Sequence, residues 1–335
     1  MRGEILVLGN SNVDLVFRIP RFHHPGETIL AESLSTFFGG KGANQAITAK
    51  RLGGNVRFIT KVGSDHYGKA YRHYLSEGGL NRKLILEDRK LPTGTAVIEL
   101  TPKGENRIIA FLGANGSLSV NDVKRLERYW RGIRTFVTQL EIPLKTVERG
   151  LRTAKDRSAL TLLNPSPPVR LPSEILSLVD FIVPNEVEAQ LLTGIKWKGD
   201  QEIPKMANRL LDMGVKNVVI TLGAKGLFFK NRDEELWMKA FTVNVVDTTA
   251  AGDAFLGGLA TSLSENMPIQ EALKFANGAG ALATTKLGAQ PSLPSRRELE
   301  AFLKKPMRTS LTLPSPQRLL PVGRGRGKEG GVDFF

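Results

Sequence analysis

Val246-Asp247-Thr248-Thr249-Ala250-Ala251-Gly252-Asp253-Ala254-Phe255 decides how this chain is read. It follows a β-type run, Phe241-Thr242-Val243-Asn244-Val245-Val246, and precedes an apolar helical pattern from Phe255 to Leu263. A strand that turns sharply into a helix through Ala-Ala-Gly leaves backbone N–H groups without intrahelical acceptors. Together with the helix dipole, those donors make an anion site. Asp253 falls in the first helical turn beside it. On this stretch alone two readings stay open. The carboxylate could orient or accept the proton of a hydroxyl that attacks phosphorus, or it could merely complement the dipole.

The bulk composition narrows the classes. A chain of 335 residues suits one large domain, or one domain with a small appendage. With 41% hydrophobic and 24% charged residues, it has the make-up of a globular protein. There is no cysteine, which excludes disulfides, Fe–S clusters and thiolate zinc sites. His23, His24, His66 and His73 show no metal-binding spacing. No apolar run reaches membrane-spanning length. Met1-Arg2-Gly3-Glu4 leads straight into Ile5–Leu8 instead of a secretory pattern, so a cytoplasmic protein is expected.

The net charge of +14 admits nucleic-acid binding or attraction for phosphorylated substrates. Residues 304–335 hold seven Lys and Arg against two acidic residues, a net +5. The rest of the excess is spread along the chain without interleaved aromatics, so no nucleic-acid partner is expected. From about Met307 the pattern gives way to a basic Pro- and Gly-rich tail, including Gly323-Arg324-Gly325-Arg326-Gly327, which is expected to be disordered. The expected division is therefore a 1–306 domain and a 307–335 tail.

Upstream, the strand Ile5–Leu8 ends at Gly9-Asn10-Ser11-Asn12-Val13-Asp14, and open α/β sheets bind ligands at such carboxyl ends. Leu15–Ile19 reads as a short strand, and Ile29–Phe38 alternates polar and apolar. Phe38-Gly39-Gly40-Lys41-Gly42-Ala43-Asn44-Gln45-Ala46 then opens a helix running to about Leu52. Val56–Val62 reads as a strand and Tyr67–Glu77 as a helix. Gly94–Leu100 and Asn106–Leu112 predict a hairpin, with Ala96, Ile98 and Leu100 on one face and Ile108, Ala110 and Leu112 matching them. With the strands of 15–38, this predicts a small separate sheet, inserted twice into the main chain. From Ser119 helices and strands alternate. Strands are expected at Thr135–Leu140, Ala159–Leu163, Phe181–Val183 and Asn217–Thr221, with a hairpin at Leu227–Lys230 and Leu236–Lys239. Helices are expected near Val120–Trp130, Leu144–Ala154, Val187–Leu192, Ile203–Met213 and Ile269–Thr285. That rhythm predicts a mostly parallel sheet covered on both faces.

Several short motifs carry possible chemistry. Gly39-Gly40-Lys41-Gly42 is not a Walker A loop, because Gly follows the lysine. Its glycines would let backbone approach a ligand, with Lys41 and Asn44 as donors, or it is a tight loop capping a helix. Asn185 and Glu188 share one face of a helix start. They could hold waters on Mg²⁺ or form a capping motif. Thr221-Leu222-Gly223-Ala224-Lys225-Gly226 suits a nucleotide-facing loop and ordinary turn chemistry equally well. The placement is more telling than any single item. These motifs, with Asn12, Asp14, Gln139-Leu140-Glu141 and Asn164, would line one edge of one sheet.

In this order, the motifs resemble the ribokinase family of sugar kinases, the PfkB-type carbohydrate kinases. The resemblance rests on residues 39–46 and 247–253, with Leu163-Asn164-Pro165-Ser166-Pro167, Pro184-Asn185-Glu186-Val187-Glu188, Ile220-Thr221-Leu222-Gly223 and Gly288-Ala289-Gln290-Pro291-Ser292. It covers about residues 4–305. It implies a three-layer α/β/α fold with a small β-sheet lid that commonly forms a homodimer contact. It implies an ATP-dependent kinase acting on the 5-hydroxyl of D-ribose, with another pentose such as deoxyribose, or a non-catalytic sugar-binding regulator, as alternatives. Asn12, Asp14, Gly40, Lys41, Gly42, Ala43, Asn44 and Glu141 would bind sugar, and Asp253 would be the base. The backbone of Ala250, Ala251 and Gly252 would be the anion hole. Asn185, Thr221, Leu222, Gly223, Ala224, Lys225, Gly226 and Asn277 would line the ATP site, and Glu188 would help place Mg²⁺ through water. Asp247, Thr249, Ala283, Lys286, Gly288 and Ser292 would form a K⁺ loop, mostly through carbonyls. Ala110 is smaller than the branched residue the resemblance leads one to expect on the lid, and the tail has no counterpart in it.

Overall fold

The first strand, β1 (Glu4–Leu8), shows how the molecule is layered. Its alternate residues serve two cores. Leu6 and Leu8 join Trp130, Phe136, Leu151 and Met206 on one face. Ile5 and Val7 join Ala46, Phe58, Leu259 and Leu273 on the other. A strand buried on both faces belongs at the middle of a parallel sheet, and that is where β1 lies.

In the computed structural model, which describes residues 3–304, the chain next forms β2 (Asn12–Arg18), β3 (Ser33–Gly39), α1 (Lys41–Arg51), β4 (Asn55–Gly63), α2 (His66–Glu77) and β5 (Ile85–Asp88). A hairpin of β6 (Gly94–Leu100) and β7 (Asn106–Phe111) follows. The alternating half holds α3 (Val120–Arg125), β8 (Ile133–Thr138), α4 (Leu144–Lys155), β9 (Leu160–Leu163), α5 (Ser173–Leu176), β10 (Phe181–Ile182), α6 (Glu186–Thr193), α7 (Ile203–Asp212) and β11 (Asn217–Thr221). It closes with β12 (Leu227–Lys230), β13 (Glu235–Met238), α8 (Ala251–Ser264), α9 (Ile269–Ala283), α10 (Ala289–Ser292) and α11 (Arg296–Leu303).

Nine strands make the main sheet in the order β13-β12-β11-β10-β9-β8-β1-β4-β5, antiparallel only at β11/β12 and β12/β13. The sheet grows in both directions from β1, which pairs in parallel with β4 and β8. The crevice at its carboxyl end is thus a topological switch point, the usual ligand position in such sheets. The expected small sheet is present, ordered β3-β2-β6-β7. In the hairpin Ala96 faces Ala110 and Ile98 faces Ile108, the pairing that the alternation predicts.

One expectation fails. Phe241–Val246 is not a strand, although its composition is β-like; it is irregular backbone. β-propensity measures fit to a half-buried pleated surface. This segment has no strand alongside; Phe241, Thr242, Val243 and Val245 wall a cleft instead. Val246 and Asp247 donate their N–H groups to the Thr284 carbonyl, which fixes the entry into α8. The strand β5 and the short helices α5, α10 and α11 carry too few periodic residues to stand out in the sequence. The 307–335 tail lies outside the described residues.

α1 and α8 must approach closely for the site to form. A Cβ on Gly257 would stand 2.6 Å from Thr48 Cβ and 2.8 Å from the Gln45 carbonyl oxygen. Gly257→Ala is therefore expected to lower stability by about 1–2 kcal/mol in urea unfolding, the overpacking cost outweighing the helix-propensity gain. An unchanged midpoint would contradict this account of the helix contact.

Candidate active site

The turn into α8 runs through small residues, one of them in an unusual conformation. Ala250, its N-cap, is left-handed at φ 61°. Ala254 makes the first α-type bond, to the Ala250 carbonyl at 2.8 Å, and Ala251 donates to Thr248 at 3.2 Å. The Gly252 N–H has no backbone acceptor among the described residues. A Cβ on Gly252 would meet nothing within 4 Å among the described residues, so this N-terminal turn faces open space between them.

Asp253 is only 7% exposed. Two amides of α1 hold its carboxylate. Asn44 Nδ2 donates to Oδ2 at 2.9 Å, and Gln45 Nε2 donates to Oδ1 at 2.9 Å. Gln139 in turn donates to Gln45 Oε1 at 2.5 Å, which aims the Gln45 amide nitrogen at Asp253. Burial raises the Asp253 pKa, and the Lys41 charge with the two amide donors only partly offset this.

The first turn of α1 is seated by Asn10. The Asn10 Oδ1 accepts from the Gly42 N–H at 2.9 Å, and the Asn10 carbonyl accepts from the Ala43 N–H at 3.0 Å. A Cβ on Gly42 would strike the Asn10 backbone nitrogen at 2.7 Å, so only glycine allows this seat. Gly40, at φ 92°, makes the left-handed link between β3 and α1. Asn10 Nδ2 also donates to Glu141 Oε2. Asn12 is held through its Oδ1 by Asn115 Nδ2 at 2.8 Å.

Asp14, Glu141 and Asp253 thus cluster around Lys41. Burial first, then repulsion from Glu141 and Asp253, lifts the Asp14 pKa to about 7, with Lys41 opposing. Burial also raises that of Glu141. For Lys41 burial works against the charge, but Asp253, Glu141, Glu188 and Asp14 outweigh it and the pKa rises.

Two clefts meet at the start of α8. One, of about 220 Å³, is lined by Lys41, Asn164, Asn185, Glu188 and Asp253. The other, of about 440 Å³, is lined by Gly223, Ala224, Gly226, the 240–245 segment and Asn277. Thr221, Thr248, Ala251 and Gly252 border both. The larger volume falls within the usual range for small-ligand sites.

Other expected site residues fall as follows. Asn185 and Glu188 form a reciprocal capping box, at 2.9 and 2.8 Å. Leu222 is buried, and Lys225 pairs with Asp200 at 2.7 Å, away from the clefts. Asn277 donates to the Lys239 carbonyl at 2.8 Å. Asp247 Oδ1 accepts from the Thr249 N–H and hydroxyl at 2.9 and 2.7 Å, and its Oδ2 from the Gly288 N–H at 2.9 Å. These bonds hold the Asp247 pKa low against burial. Ala283 ends α9, Lys286 pairs with Glu298 at 2.8 Å, and Ser292 donates to the Ala289 carbonyl at 2.7 Å. Gln45, Asn10, Gln139 and Asn115 hold the candidate residues in place, and the sequence reading gave none of them a role. Gln45 and Gln139 lie beside assigned residues; Asn115 carries no local signal at all.

Comparison with known proteins fits this geometry. The description pfkB family carbohydrate kinase matches residues 2–296. The chain belongs to that family. It is a phosphotransferase of the carbohydrate-kinase type. It is 41% identical to the ribokinase of Haemophilus influenzae over 304 residues, covering 91% of this chain and 99% of that protein. It is 35% identical to the deoxyribokinase of Salmonella typhi over 301 residues, covering 90% and 98%. The structure of Arabidopsis thaliana ribokinase complexed with ribose and ATP superposes with a TM-score of 0.85 at 30% identity, covering 91% of this chain and all of that one.

The lifted pKa of Asp14 has a measurable consequence. Its folded value of about 7 lies above its unfolded value of about 4. The stability that protonated Asp14 contributes is therefore full below about pH 4 and is lost as pH rises through about 7. Asp14→Asn should raise the Tm of the ligand-free protein by a few degrees above pH 7, with a gap that widens from about pH 4 and then levels off. A pH-independent gap would contradict the assignment.

Proposed function

We propose that this protein transfers the γ-phosphoryl group of ATP to the 5-hydroxyl of D-ribose, giving ribose 5-phosphate. The observation that carries the reading is the position of Asp253. Its carboxylate is buried and clamped by two amides, in the same helical turn as the open N–H donors of the anion turn. The smaller cleft would take the sugar's reacting end and the larger one the nucleotide. Asn12, Asp14, Lys41, Asn44 and Glu141 supply alternating acceptors and donors for sugar hydroxyls. An aspartate is a weak base toward an alcohol, so it acts late, when the attacking oxygen has become acidic. Alignment and charge stabilisation by the anion turn carry the larger share.

Mg²⁺ would neutralise phosphate charge during the transfer. No group of three or more His, Asp or Glu side chains converges as a metal cage among the described residues. Glu188, with Asn185 beside it, suits an ion that keeps much of its water and takes phosphate oxygens. For K⁺, the chain offers the carbonyls at the end of α9 and the Asp247 carboxylate, a set of hard oxygens beside the anion turn. Deoxyribose is the second reading, supported by the similarity to a deoxyribokinase. We read the 1–306 segment as the kinase domain. No described helix is long and apolar enough to cross a membrane; we read the enzyme as cytoplasmic, with small-molecule partners only.

Turnover of a sugar panel with ATP, with and without Mg²⁺ and K⁺, tests the reading. Ribose-dependent turnover is expected, activity with other sugars alone would revise the substrate, and none at all would favour a binding role. Asp253→Ala should lose at least ~10²-fold in kcat while still binding sugar. Gly252→Ala puts a methyl into open space, so it should keep or raise Tm and still lose turnover by ~10-fold or more. Near-normal turnover in either variant would sink its assignment.

A homodimer through the lid is also proposed. Strand β7 is one of the two edges of its sheet and exposes Ile108, Ile109 and Phe111 on both faces, an edge that isolated sheets avoid. Sedimentation equilibrium should give a dimer, and Ile109→Lys should shift it toward monomer; a wild-type monomer would refute it.

A further inference from the structure

Hydrogen bonds joined by short backbone links run behind the site from the loop before α8 to Gly39, through residues that line neither cleft. It starts at Asp247, whose carboxylate holds Thr249, immediately before the turn, and the Gly288 N–H. Two residues on, in α10, Gln290 is 1% exposed and donates from Nε2 to the Tyr71 hydroxyl at 2.5 Å. The Tyr71 hydroxyl donates to the Gly39 carbonyl at 2.6 Å. Gly39 adjoins the left-handed Gly40 and packs against the Asp14 carboxylate, where a Cβ would stand 2.0 Å from Oδ2. Tyr71 is fully buried on α2 and stacks on Phe38, with ring centroids 4.3 Å apart and planes at 9°.

A buried tyrosine hydroxyl needs some partner, so a packing role alone would be satisfied by any carbonyl. Two features argue for more. The acceptor is the hinge carbonyl between lid strand β3 and α1, which sets where Asp14 and Lys41 stand. And Gln290 Oε1 is buried with no partner among the described residues. An unsatisfied buried acceptor is destabilising, and an apolar residue of similar size would avoid it. The glutamine is therefore explained by what its nitrogen does. Arg51, at the end of α1, donates to the Gln290 and Leu293 carbonyls at 2.7 and 2.9 Å and keeps α10 in place.

We propose that Tyr71 and Gln290 are positioning residues that hold the Gly39–Gly40 hinge, and so the sugar, at a set distance from the anion turn. The kinetic part of this proposal rests on the sugar-kinase reading; the exchange measurement below does not. Tyr71→Phe keeps the stacked ring and removes the hydroxyl, and Gln290→Met keeps the bulk and removes the donor. Each should raise the sugar KM about tenfold and lower kcat severalfold, with the ATP KM within twofold of wild type. The double variant should be no worse than the single ones, because the relay acts as a unit. In amide hydrogen exchange without substrates, Tyr71→Phe should speed exchange both at residues 39–42 and, at the far end of the relay, at residues 248–252. Circular dichroism at the assay temperature verifies that each variant is folded. A folded variant with unchanged sugar KM, additive effects in the double variant, or faster exchange at the hinge alone would overturn the proposal. Wild-type protein inactive with every sugar would instead count against the kinase reading, with the exchange result still deciding the relay.

Discussion

A carboxylate taken out of water must be met by donors, and the site follows from how Asp253 meets that requirement. It is 7% exposed, and its two oxygens take Asn44 and Gln45 from another helix. That contact is possible only where α1 and α8 nearly touch, which Gly257 permits. Once the two helix starts converge, the rest has little freedom. The start of α8 borders the same opening as Lys41 of α1, and the two clefts meet there. Asn10 and Gln139, at the ends of β1 and β8, are the sheet's contribution to this arrangement.

The cost of the arrangement appears in the charges. Three carboxylates share one ammonium group, and burial with mutual repulsion leaves Asp14 half-titrated at about pH 7. A row of acceptors this poorly compensated is a disadvantage to folding; under the proposed function it would be an advantage to recognition, since sugar hydroxyls could donate to all of them. Lys41 keeps the cluster from collapsing to the neutral form. A buried acidic cluster with one cation suits polyol binding better than phosphate binding. The proposed phosphate end would be served instead by backbone N–H groups, which carry no net charge to desolvate.

The sequence was legible where local chemistry is self-sufficient. The alternation of helices and strands, the hairpin with Ala96 opposite Ala110, and the glycines of residues 39–42 each follow from rules acting over a few residues. It misled where the same composition has two uses. Phe241–Val246 looks like a strand because β-branched and aromatic residues suit any half-buried wall, and here the wall is a cleft. Asn185 and Glu188 have the spacing of both a capping box and a pair of cation-facing groups; the hydrogen bonds are those of the capping box, and Glu188 still borders the cleft.

From the sequence alone came the layered fold, the small separate sheet, the helix-opening turn at 250–252 and Asp253 beside it. These are short-range properties: periodicity, turn chemistry, and which residue stands in a helix's first turn. Only the tertiary structure decided which amides hold Asp253, that Asp14 sits among like charges, and that Tyr71 and Gln290, 219 positions apart, meet behind Gly39. Those contacts depend on side chains meeting across distant elements. No local rule encodes the distance between two helices; that distance is set by which residues are small enough to let them approach.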